Sequence, residues 1–121
     1  MSGVELFSEQ ALSIEVCDTG AGVRVTWRGK SDIREPDNKL IPFLDQLAER
    51  LKNRKVTIDF RRFEYMNSAT VSPIIRFVRR LDRNAASTVL VYDPLIDWQR
   101  VNFLCMKTIA RTLAHVEVLT S

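Results

Sequence analysis

The sequence predicts an α/β fold, a mixed β-sheet with helices packed on it, in the order β-β-α-β-α-β-α-β. Three observations carry this expectation. Two early runs alternate apolar and polar residues at period two around a turn-rich stretch, three later segments repeat apolar residues at helical spacing, and short apolar runs separate those segments. A hairpin followed by strand and helix units implies a mixed sheet.

Taken in order, residues 1–11 are polar and aperiodic and form an N-terminal arm or an edge strand. Leu12, Ile14 and Val16 alternate with polar neighbours, Asp18-Thr19-Gly20-Ala21-Gly22 is rich in turn formers, and Val23, Val25 and Trp27 resume the alternation, so 12–28 is a β-hairpin. The Gly20-x-Gly22 pair leads into a strand and lacks both a third glycine and a following Lys-Ser/Thr, which makes it a turn rather than a phosphate-binding loop. After a polar connection from Gly29 to Asn38, the set Leu40, Leu44, Leu47, Ala48 and Leu51 marks an amphipathic helix with Pro42 in its first turn. Val56, Ile58 and Phe60 make a strand that Phe63 and Tyr65 extend towards Met66, Asn67 and Ser68, where a loop is expected.

From Val71, the residues Ile74, Ile75, Val78 and Leu81 fall on one side of a second helix, and Arg76, Arg79, Arg80 and Arg83 cover much of the other. Thr88 to Tyr92 is an apolar strand, Asp93-Pro94 breaks it, and Asp97 is an expected N-cap. Val101, Leu104, Cys105, Ile109 and Leu113 define the core side of a third helix, and Val116 to Leu119 the last strand. No repeat, linker or low-complexity segment interrupts the chain, so 1–121 reads as one domain.

With 121 residues, 45% hydrophobic and 27% charged, the chain has the balance of a soluble globular domain and can bury a core without metal or disulfide. No apolar stretch is long enough to span a bilayer and the first residues lack an export signal, which sets the expectation of a cytoplasmic protein with Cys17 and Cys105 as reduced thiols. The net charge of +3 is uneven: residues 1–60 carry 9 Lys/Arg against 10 Asp/Glu, and residues 61–121 carry 9 against 5. The basic half suits an acidic partner protein better than nucleic acid, because no nucleic-acid recognition motif accompanies the arginines.

Catalytic chemistry is hard to assemble from these residues. His115 is the sole histidine, the carboxylates are dispersed, and no HExxH, DxDxDG, P-loop or full dinucleotide fingerprint occurs, so the expectation is no enzyme, no metal and no cofactor. Asp59 ends a strand as a receiver phosphoacceptor does, but only Asp18 follows the first strand where a receiver needs an acid pair. Trp27 and Trp98 sit in apolar periodic contexts and read as core or core-edge residues.

The informative segment runs from Val56-Thr57-Ile58-Asp59-Phe60 through Met66-Asn67-Ser68-Ala69-Thr70 to Ile74-Ile75. It resembles the STAS domain of anti-sigma-factor antagonists, in which a strand ending in Asp leads through an aromatic-apolar step to an Asp-Ser-Ser-Gly-like loop and a helix. The likeness covers roughly residues 12–119 and implies a STAS-like fold and a bacterial signalling role in partner switching that controls transcription. It also implies a serine kinase or anti-sigma factor of the histidine-kinase-like ATPase fold as partner, which phosphorylates the first loop serine, and a PP2C-type phosphatase that reverses it. Ser68 holds that position, with Thr70 and Ser72 the nearest alternatives, and Met66 to Thr70 form the implied switch loop. Here Asn67 replaces the usual Asp, Ala69 the second Ser and Thr70 the Gly, and Pro73 enters the first helical turn. The arginines at 76, 79, 80 and 83 would then dock a partner beside the loop. The alternative function is a STAS adaptor that regulates another effector enzyme without phosphorylation.

Overall fold

The computed structural model describes residues 3–120. Its elements are β1 (Gly3–Glu9), β2 (Leu12–Asp18), β3 (Val23–Ser31), α1 (Leu40–Arg50), β4 (Lys55–Met66), α2 (Ser68–Arg83), β5 (Ser87–Tyr92), α3 (Asp97–Ala110) and β6 (Val116–Thr120). The strands lie in chain order in one six-stranded sheet, β1 to β3 antiparallel and β3 to β6 parallel. The first segment resolves as an edge strand paired residue for residue with β2, so the order carries one strand more than the periodicity predicts. Its sequence hides this because one side of an edge strand meets solvent and its apolar residues need not alternate.

The parallel strands are joined by helices, and crossovers of one hand along a sheet that grows in one direction place the helices on the same face. Alternation of burial confirms it. Ile14, Val25, Ile58 and Leu90 are buried under the helices, whereas Glu15, Arg24, Thr57 and Val89 lie on a face open to solvent. Trp27, Phe60, Phe63, Phe103 and Tyr92 form a chain of ring contacts with centroids 4.7 to 5.5 Å apart that binds β3, β4, β5 and α3 together. Gly29, with φ +80°, has no substitute, because a Cβ there would lie 2.2 Å from the Ala11 carbonyl oxygen in the turn between β1 and β2.

Two expectations about helices need correction. The apolar side predicted for α3 is rotated from the observed one: Val101 and Leu104 are 58% and 52% exposed and Cys105 is exposed, Ile109 and Leu113 are half-buried against the core, and Gln99, Phe103, Met106 and Ala110 are buried. The reason is a polar residue at the centre of the buried side. The Gln99 amide donates to the Phe60 and Phe63 carbonyls at 2.7 and 2.8 Å and its oxygen accepts from the Asp93 N–H at 2.8 Å, so it closes backbone groups where β4 overruns β5. Asp97 is the first helical residue rather than the N-cap, and the extended Ile96 precedes it. In α2, Phe77 joins Ile74, Val78 and Leu81 in the core, and Ile75 is only half-buried.

Asp59, almost fully buried on the otherwise open face, is held by Arg61 through the side chain at 2.8 and 3.0 Å and the backbone N–H at 3.0 Å, and by Arg24 at 3.0 Å. Burial alone would raise its pKa, but the hydrogen bonds from Arg61 and Arg24 outweigh it and hold the carboxyl at about 2. A depressed carboxylate pKa stabilises the fold above its unfolded value of 3.8 and that stability is lost as the pH falls through the folded value. Asp59→Asn is therefore expected to cost about 2 kcal/mol at neutral pH, with the gap to wild type closing between about pH 5 and pH 2 in denaturant titrations.

Candidate functional site

β4 and α2 meet at a single residue. Met66 ends the strand, Asn67 takes the cap position with φ −80° and ψ 171°, and Ser68 opens the helix. The predicted loop is thus a sharp corner, Ser68, Ala69 and Thr70 are the first helical turn, and Pro73 lies in the second turn rather than the first. The hydrogen bonds of Asn67 explain why the helix starts early.

The Thr70 hydroxyl donates to the Asn67 side-chain oxygen at 2.6 Å, and the Ser31 Oγ lies 2.7 Å from the Thr70 oxygen. A threonine hydroxyl has one proton, and Asn67 receives it, so Ser31 is the donor to Thr70. The Asn67 amide donates in turn to the Ile33 carbonyl at 3.0 Å and reaches the Asp32 carboxylate at 3.5 Å, and its backbone N–H donates to the Ser31 carbonyl at 3.0 Å. Thr70 and Ser31 are both fully buried. The chain of bonds pins the start of α2 to the end of β3 across more than thirty residues of sequence.

Of the three hydroxyls singled out in the sequence, Ser68 and Ser72 are exposed and Thr70 is buried with its proton committed to Asn67. With Val71 as zero and 100° per residue, Ser68, Ile75 and Arg79 fall at about 60°, 40° and 80° on the helix, so they share one outward line with Val71. The arginines divide. Arg76 donates to Asp45 of α1 at 3.0 and 3.2 Å, and Arg80 reaches Glu49 at 3.1 Å and Asp45 at 3.7 Å. The hydrogen bond from Arg76 holds the Asp45 carboxyl below its usual range. Arg79 and Arg83 are exposed, and neither has an acidic partner within 4 Å among the described residues. What the sequence groups as one basic arc is a pair of arginines bound to α1 and a pair free for other contacts.

Beside the outward line lies a groove between α2 and α3, with a cavity of about 190 Å³ lined by Met66, Val71, Ile75, Cys105, Met106 and Ile109 among others. Cys105 and Ile109, which the apolar periodicity assigns to the core, line it together with the buried Met106. Nothing in the sequence separates the two apolar stripes of α3 except Gln99, whose burial no apolar pattern predicts.

No family model matches the sequence, and no curated protein matches it. Solved structures do. An anti-sigma factor antagonist from Mycobacterium paratuberculosis is 13% identical, with a TM-score of 0.62 over 91% of this chain and 89% of that one. Apo-SiaC from Pseudomonas aeruginosa is 14% identical, with a TM-score of 0.65 over 98% of each chain. The fold is STAS-like. SpoIIAA, an anti-sigma factor antagonist solved in its unphosphorylated form, also shares the STAS-like fold at 14% identity, with a TM-score of 0.51 over 98% of this chain and 90% of that one.

Among the described residues, no group of three or more His, Cys, Asp and Glu side chains is placed to hold a metal ion, and no helix is long and apolar enough to cross a membrane. His115 is exposed, and its backbone N–H donates to Asp82 at 2.8 Å.

Thr70→Val keeps the shape but strands the buried Ser31 hydroxyl and leaves the half-buried Asn67 oxygen without its donor, and should cost about 1–3 kcal/mol. A double-mutant cycle with Ser31→Ala in chemical denaturation should return a coupling of at least about 0.5 kcal/mol, because the two groups share one bond chain.

Proposed function

We propose that this chain is a protein-binding signalling module of the anti-sigma-factor antagonist kind, whose partner surface runs from Ser68 along Val71, Ile75 and Arg79 and into the α2–α3 groove. One observation carries the reading. The exposed Ser68 sits at the first position of α2, in line with half-buried apolar residues and an unpaired arginine, which is the arrangement a reversible switch needs. Phosphorylation there adds close to two negative charges at a helix N-terminus, where the helix dipole stabilises them within the protein. The same charges oppose an apolar or acidic partner surface seated on Val71 and Ile75, so the modified form lets go.

In this reading the partner is a serine kinase or anti-sigma factor of the histidine-kinase-like ATPase fold, with a PP2C-type phosphatase resetting the switch in the cytoplasm. Ser68 is the phosphoacceptor. Ser72 is the accessible competitor, whereas Thr70 can reach a kinase only if the first turn of α2 unwinds. Arg79 and Arg83 steer an acidic partner, and Arg76 and Arg80 hold α2 against α1.

A second reading, an adaptor that regulates an effector enzyme without phosphorylation, is supported by the likeness to SiaC. The structure of the diguanylate cyclase SiaD in complex with its activator SiaC, from Pseudomonas aeruginosa, matches at 15% identity with a TM-score of 0.61 over 97% of this chain and 99% of that one.

Incubation with a kinase of that fold and ATP, followed by peptide mapping, should place the phosphate on Ser68, and Ser68→Ala should abolish it. Phosphate on the alanine variant at the wild-type level overturns the assignment. Ser68→Glu and Ile75→Glu should each weaken the partner complex about tenfold or more by titration calorimetry, since each buries a charge at the contact. Under the adaptor reading, Ile75→Glu weakens binding but Ser68→Glu and Ser68→Ala behave alike.

A further inference from the structure

β1 and β6 are the two edges of the sheet, and β1, at seven residues against five, is the longer. Edge strands are ordinarily blunted by charged side chains, above all lysine, by inward-pointing charges, proline, a bulge or very short length, and of these β1 has only Glu5, which is neutralised by Arg50, and Glu9. β1 runs seven residues, Gly-Val-Glu-Leu-Phe-Ser-Glu, with no lysine or proline and an unbroken register against β2. Among the described residues, no segment pairs with its outer side. Its two faces are also distinct. Phe7 stacks on Phe43 of α1 with centroids 4.6 Å apart and Glu5 pairs with Arg50 at 2.6 Å, so the odd residues face the helices. Val4 and Leu6 stand on the open face, 71% and 63% exposed.

We propose that a second copy of this chain pairs antiparallel with β1 about a two-fold axis at Leu6, joining two six-stranded sheets into one. The register follows from the strand itself. Alternate residues of an edge strand turn their N–H and C=O groups outward, so in antiparallel self-pairing a residue can oppose only one of like parity. Pairing centred on Glu5 sets Glu5 against Glu5. Pairing centred on Phe7 sets Glu5 against Glu9. Like charges directly opposite are unfavourable. Centring on Leu6 opposes Glu5 to Phe7, Gly3 to Glu9 and Val4 to Ser8, uses the whole strand, and covers the exposed Leu6 with its own copy on the open face. It leaves the Glu5–Arg50 pair in place. The contact is isologous and closes at two copies, whereas pairing β1 with β6 would be head-to-tail and open-ended. A single strand pair is a small interface, so the dimer is weak and forms at high protein concentration. It does not depend on the partner surface on α2.

Sedimentation velocity over a concentration series tests it. The expected result is a monomer–dimer equilibrium that Leu6→Lys weakens by at least about tenfold, with two lysines facing each other at the axis, and with an unchanged circular dichroism spectrum. Leu119→Lys, on β6 and 46% exposed in the wild type, should leave the equilibrium alone. In a Cys17→Ser, Cys105→Ser background, Leu6→Cys should form an intermolecular disulfide readily and Val4→Cys poorly. A chain that stays monomeric throughout the series, a dimer that Leu6→Lys leaves intact or that Leu119→Lys dissolves, or faster cross-linking at position 4 than at position 6 overturns the proposal.

Discussion

The position of the candidate switch rests on the buried hydrogen-bond chain from Ser31 through Thr70 to Asn67. A strand-to-helix corner of one residue would otherwise leave the first turn of α2 free to fray, since its N–H groups have no helical partners. Here the Asn67 side chain is turned away from the first N–H groups of α2 and towards the Thr70 hydroxyl and the Ile33 carbonyl. The turn is held from the sheet side, and its outer side is left open. Ser68 is thereby carried on the first turn of a helix rather than on a loop.

The same division of labour runs along α2. Its inner side gives Ile74, Phe77, Val78 and Leu81 to the core, and the side towards α1 commits Arg76 and Arg80 to Asp45 and Glu49. These ion pairs are partly exposed and each contributes little to stability; the buried Ile74, Phe77, Val78 and Leu81 fix the rotation of α2 about its axis. That rotation leaves Ser68, Ser72, Arg79 and Arg83 exposed and Val71 and Ile75 half-buried. On the far side of the sheet, the Arg24–Asp59–Arg61 cluster closes the otherwise open face over the centre of β3 and β4.

The sheet, its hairpin and α1 were legible because their apolar residues sit at clean periods with turn formers between them. β1 was only half legible, since Val4 and Leu6 face solvent and its alternation points outwards as much as in. The core side of α3 was misread because the helix carries two apolar stripes and the buried one has Gln99 at its centre, satisfied by backbone groups that no local pattern reveals. Ser68 is singled out by its resemblance to the STAS serine alone, since an exposed serine at a helix start has no pattern of its own. The role of Thr70 was not legible, because it depends on Ser31, nearly forty residues away, being brought to 2.7 Å by the parallel pairing of β3 and β4.

The most direct test of the account is residue-resolved amide hydrogen exchange on the wild type and Thr70→Val. If the chain from Ser31 to Asn67 holds the start of α2, exchange at Asn67 and Thr70, whose N–H groups donate to the Ser31 and Asn67 carbonyls, speeds up by about tenfold or more in the variant, in line with the loss of a buried bond network, while the turn around Phe77 to Leu81 keeps its protection. Unchanged exchange at Asn67 and Thr70, or an equal loss along the whole of α2, would contradict it.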